Sequence, residues 1–441
     1  MNAGEANDTI DAAQRLQRAL YRAAKASPTR RFHALFDKMF RADILERGWQ
    51  EVQANAGAAG VDGQTIKDVE RRGVAGLLAE LATELREGRD RPRPVRRVWI
   101  PKADGSRRPL GIPAVRDRVV QAAAKVVLEP IFAADFRASS YGFRPKRRAH
   151  QAVEQVRQGV NRGGSWVVDA DIQAFFDRID HAKLMDLLAE RISDRRMLKL
   201  LRQWLEAGVW EDGALRPTDQ GVPQGSVLSP MLANVVLHEL DRLWEDHCRQ
   251  LGQLVRYADD FVIMCRTDAD AREALRRVGL ILARLGLELH PDKTRVVDVR
   301  AGRQGFDFLG FHHRLVGSWR WRGKRYLQQW PGQRALQRVR ARVKAITAPR
   351  YRLKEPVETL VAELNAVLRG WGAYFRVGNA SRQFAQLARY VRERLALFLS
   401  KKAGRAGRRW ERHSVAFFRA LGLHDLNGTV AWASATPRAA R

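Results

Sequence analysis

Two acidic residues set side by side between apolar runs constrain this chain more than any other feature. Tyr257-Ala258-Asp259-Asp260 is preceded by Leu254-Val255 and followed by Phe261-Val262-Ile263-Met264. Apolar runs on either side of a tight polar turn predict a β-hairpin with both carboxylates at its tip. Adjacent carboxylates repel, and with no Lys or Arg close by in the turn the pair calls for a cation. Mg²⁺ suits it, because that ion takes hard oxygen ligands and shares them with substrate phosphates. An isolated Asp-Asp turn is ordinarily just a solvated loop. Other stretches of this chain argue against that reading.

The first is Trp166-Val167-Val168-Asp169-Ala170-Asp171-Ile172, which reads as a buried strand ending in acids. A carboxylate at the end of an apolar strand is costly unless something pairs with it. A helix follows near 181–190, and Gly221-Val222-Pro223-Gln224-Gly225-Ser226 is a turn opening a long helix near 228–247. Then come the 254–264 hairpin, a helix near 270–285 and a strand near 295–299. The order from Trp166 is strand, helices, strand, strand, helix, strand, the split βαβ or ferredoxin-like arrangement. In that sheet the first strand neighbours the hairpin, so Asp171 should lie beside Asp259 and Asp260. Three carboxylates on one edge are what two-metal phosphoryl transfer requires. Asp169 lies two residues before Asp171 and so shares its face.

Upstream, the extended stretch Val95–Pro101 is followed by Lys102–Pro113, in which Asp104-Gly105 is placed to turn a hairpin between two strands. Lys102 and Arg108 would project from this basic ribbon, which suits a triphosphate. Residues 1–50 read as helical, 54–63 as a Gly-rich loop, 64–88 as one helix and 115–132 as another. Beyond 300, Phe306–Phe311 reads as a short aromatic strand. Trp319, Trp321, Tyr326 and Trp330 alternate with Arg320, Arg322, Lys324 and Arg325, a pattern suited to backbone contact plus base stacking. Residues 333–347 and 357–401 read as basic helices with Trp371, Tyr374 and Phe375 on the apolar side.

Charge separates these parts. The formal net charge is +30, which attracts polyanions and nucleic acid above all. Residues 301–441 carry 29 Lys+Arg against 7 Asp+Glu, a surplus of 22, which leaves only 8 for residues 1–300. The acidic part is nearly balanced and the last third is a polycation, with Lys401–Arg412 basic and poor in apolar residues. Only Cys248 and Cys265 are present, which excludes a disulfide framework or a four-Cys zinc site and points to a reducing cytoplasm. No run of 18 apolar residues suggests a membrane span, and no signal peptide is evident.

Val168–His181, Gly221–Leu232, Tyr257–Asp260, Leu287–Thr294 and Phe308–Phe311 follow the order and spacing of the sequence blocks of reverse transcriptases. More narrowly, with Gly60-Val61-Asp62-Gly63, Ser140–Pro145 and Leu364–Arg376, the chain resembles the reverse transcriptase–maturases encoded by bacterial group II introns.

The resemblance implies an α+β, right-hand polymerase fold. Its fingers and ferredoxin-like palm would be followed by an all-α thumb or maturase domain and a basic C-terminal segment. The corresponding division is a helical N-terminal extension (1–50), fingers (51–165), palm (166–325), helical thumb (326–400) and a basic nucleic-acid-binding segment (401–441). Asp171, Asp259 and Asp260 would be the catalytic, metal-binding carboxylates, with Ile172 offering a backbone carbonyl. Lys102 and Arg108 would hold the incoming triphosphate, and Phe175 or Phe176 would exclude a ribose 2′-hydroxyl. Gln224 and Gly225 would contact the new base pair. Lys293 would protonate the leaving pyrophosphate, and Phe308, Leu309, Gly310 and Phe311 would support the primer end.

Two Mg²⁺ ions are the implied cofactors, with Mn²⁺ able to substitute. The implied partners are deoxynucleotides, a DNA primer or target and an RNA template, the protein's own intron RNA. The implied location is a ribonucleoprotein of the bacterial cytoplasm or nucleoid. Ala174 and Ser226 stand where these proteins often carry Gly. With no Cys after Cys265, the chain resembles short lineages lacking the Cys- and His-rich endonuclease domain. The alternatives are an RNA chaperone acting through its basic regions alone, and a related reverse transcriptase serving host defence, spacer acquisition or DNA repair.

Overall fold

The computed structural model describes residues 3–101, 105, 107–318, 323–404 and 413–431. Lys102 and the Trp319–Arg322 stretch lie outside the described residues, as does most of the basic run 401–412.

The N-terminal region is helical but not continuous. Helices α1 (Ala3–Ala26), α2 (Phe36–Met39) and α3 (Ala42–Asn55) replace the single expected block. The expected helix at 64–88 is two, α4 (Ile66–Arg72) and α5 (Val74–Glu87). Gly73 separates them at φ 104°, a left-handed conformation open to glycine and costly for other residues. Strands β1 (Val95–Pro101) and β2 (Arg107–Ile112) form the expected antiparallel hairpin, and α6 (Val115–Asp135) follows.

Helix α7 (Ala149–Asn161) and strand β3 (Trp166–Asp171) lead to α8 (His181–Ala189) and α9 (Arg195–Glu206). The sequence reading missed α7 and α9, and also the short hairpin β4 (Val209–Glu211) and β5 (Ala214–Arg216), which extends the β1–β2 sheet in the order β2-β1-β4-β5. Next come α10 (Ser229–His247), the hairpin β6 (Gly252–Tyr257) and β7 (Asp260–Cys265), α11 (Asp268–Arg284) and β8 (Arg295–Asp298). The central sheet has the order β6-β7-β3-β8 with every neighbour antiparallel, the order of a split βαβ unit.

This sheet is a wall shared by two cores. Val168, Ala170, Phe261 and Ile263 face the helices α6, α8, α10 and α11. Val167, Val255, Val262 and Met264 face α7 and a set of buried residues from Phe306 to Leu426. The strict alternation follows from the period of two in a strand.

The aromatic stretch at 306–311 is not one strand. It is a hairpin, with β9 (Gly305–Phe308) and β10 (Phe311–Gly317) joined at Leu309 and Gly310, whose φ values are 51° and 79°. Strand β11 (Arg325–Pro331) completes this sheet, so the all-helical part begins at Gln333. There α12 (Gln333–Thr347), α13 (Val357–Phe375) and α14 (Ser381–Lys402) pack together. The expected helix at 357–401 breaks at 376–380, where Gly378 has φ 95°. Residues 413–431 are not a loose basic tail. Helix α15 (Val415–Ala420) folds back, burying Phe418, Leu423 and Leu426 in the second core. Among the described residues no helix is long and apolar enough to cross a membrane.

Candidate active site

Asp171 ends β3 directly opposite Asp260, the first residue of β7, while Tyr257 pairs with Asp260 across the β6–β7 turn. Asp259 occupies that turn with Ala258, whose φ is 57°. Asp169 and Asp171 share the face of Val167, and Asp260 shares the face of Val262, so the three point toward the second core. The tertiary structure thus joins at one sheet edge acids that are 88 residues apart in sequence, 259 minus 171.

Burial, and then crowding, shows in their ionisation. Burial, followed by the charges of Asp169, Asp259 and Asp171, pushes the Asp260 carboxyl up to about 7; the Leu309 amide, which hydrogen-bonds it, works the other way. Burial also raises Asp259, and Asp171 adds to the shift, while Arg108 and Arg256 oppose it. Asp169 is raised by burial and partly relieved by Arg295 at 3.1 Å.

Lys293 Nζ donates to Asp171 Oδ2 at 2.7 Å. The loop that carries it is anchored by the His290 amide, which donates to the Asp171 carbonyl at 2.8 Å. Ile172 is buried and bridges antiparallel to Leu289.

The loop 221–226 is wedged between two elements. The Val222 amide donates to the Phe176 carbonyl at 2.7 Å, and the Gly111 amide of β2 donates to the Gln224 carbonyl at 2.7 Å. Gly225 has φ 112°, and a Cβ there would stand 2.8 Å from the Gly111 carbonyl oxygen. This contact carries the β1–β2 hairpin, with exposed Arg108, to the acidic edge.

Phe175 is 2% exposed and belongs to the first core, whereas Phe176 is half-buried, with ring centroids 5.2 Å apart. Ala174 adopts φ 47°, a left-handed conformation that glycine takes more readily than alanine.

The Leu309–Gly310 turn links the acids to the helical part. Besides the Leu309 amide on Asp260, the Tyr374 hydroxyl donates to the Leu309 carbonyl at 2.9 Å and the Gly332 amide to the Gly310 carbonyl at 2.9 Å. Phe308 and Phe311 are buried beneath the turn.

Sequence reasoning missed one cation. Arg256, one residue before Tyr257, is completely buried and bonded to Asp241. Its signal was an Arg inside an apolar strand, which demands a partner. The turn therefore does have a basic residue near it, but that charge is already committed.

Among the described residues no three His, Cys, Asp or Glu side chains form a ready metal cage. The donors still fit a hard divalent ion. They are carboxylate oxygens brought together at one sheet edge, and Mg²⁺ binds through one or two carboxylates with substrate phosphates and water completing its shell. An acidic edge facing a basic hairpin suits phosphoryl transfer, where catalysis is positioning and charge neutralisation.

Comparison with known proteins agrees. Residues 100–313 match the family described as reverse transcriptase (RNA-dependent DNA polymerase), and residues 336–416 match the group II intron, maturase-specific domain. The chain is 36% identical to Protein YkfC of Escherichia coli over 340 residues, covering 68% of this chain and 87% of that one. It is 36% identical to the group II intron-encoded protein LtrA of Lactococcus lactis over 214 residues, 48% of this chain but only 35% of LtrA. A 91 kDa protein in the cob intron of Schizosaccharomyces pombe is 42% identical over 261 residues, 46% of this chain and 32% of that one. A solved partial Cas6-RT-Cas1–Cas2 complex aligns with TM-score 0.36 and 24% identity over 56% of this chain and 42% of that one, a likeness too slight to decide anything. The chain belongs to the reverse transcriptases of group II intron type, RNA-directed DNA polymerases that carry a maturase domain. The host-domesticated alternative is not favoured by these relatives.

Proposed function

We propose that the chain copies an RNA template into DNA by nucleotidyl transfer at the Asp171–Asp259–Asp260 edge, and that the same protein binds its own intron RNA to assist splicing and mobility. In this reading residues 51–165 are the fingers and the β6-β7-β3-β8 unit with its β9–β11 extension is the palm. Helices α12 to α14 are the thumb, and 401–441 adds basic contacts. The carrying observation is the register that sets Asp171 opposite Asp260 with Asp259 in the adjoining turn.

Asp171, Asp259, Asp260 and the Ile172 carbonyl would hold two Mg²⁺ ions, which would supply charge neutralisation for the phosphates and activation of the primer hydroxyl. Arg108, with Lys102, binds the triphosphate. The primer 3′-oxygen forms a bond to the α-phosphorus as the bond to pyrophosphate breaks. The hydroxyl proton leaves to solvent, and Lys293 gives its proton to the departing pyrophosphate. Phe175 or Phe176 excludes the ribose 2′-hydroxyl, Gln224 and Gly225 line the new base pair, and Phe308 to Phe311 brace the primer end on Tyr374.

Primer extension with an RNA template, a DNA primer, deoxynucleotides and Mg²⁺, run beside Asp259→Ala, tests the reading. Extension by the wild type alone is expected, and no wild-type extension with RNA binding intact would leave only the splicing role. Exchanging Phe175 and Phe176 singly for Ala should admit ribonucleotides in one variant only. Equal discrimination in both would remove the sugar wall.

A further inference from the structure

Ser140–Pro145 and Arg256 have no part in the chemistry above, yet they meet directly under the Asp259–Asp260 turn. Ser140 bridges Arg256 in parallel. The Arg256 amide donates to the Ser139 carbonyl and the Tyr141 amide to the Arg256 carbonyl, both at 2.8 Å. A Cβ at Gly142 would collide with the Ala258 amide nitrogen, so the 139–142 segment lies flat against the turn.

The Arg256 side chain pairs across the ladder with Phe261, on the sheet face opposite Asp171 and Asp260. It therefore touches neither the acids nor anything bound to them. Its five N–H donors are all used. Nε reaches Asp241 Oδ1 at 2.8 Å and Nη2 reaches Asp241 Oδ2 at 2.5 Å. Nη2 also reaches Ser140 Oγ at 2.9 Å, and Nη1 reaches Asn234 Oδ1 at 3.0 Å. The remaining Nη1 donor goes to the Ala258 carbonyl at 2.9 Å. Asn234 in turn donates to the Gly142 carbonyl at 2.8 Å.

Ala258 is the strained residue of the turn, with φ 57° on an L side chain. Such a conformation persists only where its surroundings over-determine it. Here they do, through the carbonyl of that same residue.

We infer that Arg256 is a positioning residue: clamped by Asp241, Asn234 and Ser140, it holds the Ala258 carbonyl and so fixes the turn in which Asp259 and Asp260 stand beside Asp171. The inference rests on the polymerase reading for its consequence and on geometry alone for its structural half. A buried ion pair that served only to fill space would be replaceable by apolar side chains, often with no loss of stability.

The test is the double variant Arg256→Met/Asp241→Leu in the full chain, assayed for melting temperature, primer extension and hydrogen exchange of the 257–261 amides. The expected result is a melting temperature close to wild type and a dNTP KM within about threefold, with kcat lower by about 100-fold, the scale of a small misplacement of reacting groups. Exchange at 257–261 should be at least about tenfold faster, as for a locally loosened segment, with β3 unchanged. Wild-type kcat or wild-type exchange in the double variant would overturn the inference. If the double variant does not fold, Arg256→Lys decides: it keeps a charge for Asp241 but has a single nitrogen and loses the fork. A drop in kcat of about tenfold or more at unchanged KM is expected there, from misplaced groups alone, and an unchanged kcat overturns the inference. Should the wild type itself fail to extend a primer, the polymerase reading falls and the exchange measurement alone decides the role of Arg256.

Discussion

Asp171–Lys293 and Asp241–Arg256 both join a carboxylate to a cation beside the same hairpin, at 2.7 and 2.5 Å. They lie on opposite faces of the sheet and do opposite work. The Asp171 and Lys293 side chains are 31% and 59% exposed, so water and salt screen their attraction and either can change partner. Asp241 and Arg256 are both 0% exposed, with every guanidinium donor engaged. Screened, the first pair is worth about 0–1 kcal/mol and can yield to a cation or a phosphate. Breaking the second leaves a buried charge without its partner, at about 3–5 kcal/mol. Solvent access alone makes one pair a working part and the other a part of the frame.

The largest test of that contrast is Asp260→Ala on the open face. It should abolish cDNA synthesis while RNA affinity, measured by filter binding, stays within a few-fold, because the basic surplus lies elsewhere. A parallel loss of binding would break the division of labour.

Next, Lys293→Ala should lower kcat about 100-fold, as expected for loss of a general acid, with the denaturation midpoint nearly unmoved. Asp241→Ala should do the reverse to stability, costing about 3–5 kcal/mol in denaturant titration. If Lys293→Ala destabilised the protein as much as Asp241→Ala does, the contrast would be lost.

A smaller effect concerns pH. Asp260 has a folded-state pKa of about 7, above its ordinary carboxylate value, so the folded protein holds a proton that the unfolded chain releases. Its contribution is full below the ordinary carboxylate range and is lost as pH rises to about 7, flat beyond. In the presence of EDTA, Asp260→Asn should therefore raise the melting temperature by a few degrees above neutrality and leave it unchanged near pH 3. An identical pH profile in both proteins would remove the argument that burial and neighbouring carboxylates raise Asp260.

The smallest is a change of slope. Replacing Arg405, Arg408, Arg409 and Arg412 by Gln should flatten the log–log salt dependence of RNA binding by about 0.7–0.9 for each phosphate no longer neutralised. These four are chosen over deletion of 401–441 because Phe418, Leu423 and Leu426 belong to the second core.

Much of this was legible in the chain. The short apolar runs at 166–172 and 254–264 declared strands, their spacing implied a split βαβ order, and that order brought Asp171 to Asp260. Where the reading failed, the cause was local ambiguity. The 306–311 stretch hides a two-residue turn behind continuous aromatics, and 376–380 breaks a helix through one glycine whose φ no periodicity reports. Helix α9 is strongly amphipathic, with Asp194 capping its N-terminus, and could have been found; the short β4–β5 hairpin could not.

The sequence by itself determined which residues form the acidic hairpin, which face of each strand its side chains take, and that the positive charge gathers in the last third. Those properties are set by neighbours a few positions away. Tertiary structure alone decided which cation serves which carboxylate, that Leu309 caps Asp260, and that an arginine fifteen residues past Asp241 is sealed from water while Lys293 is not. The strength of a charge pair depends on the dielectric around it, and that is a property of the packing of distant segments rather than of the residues that make the pair.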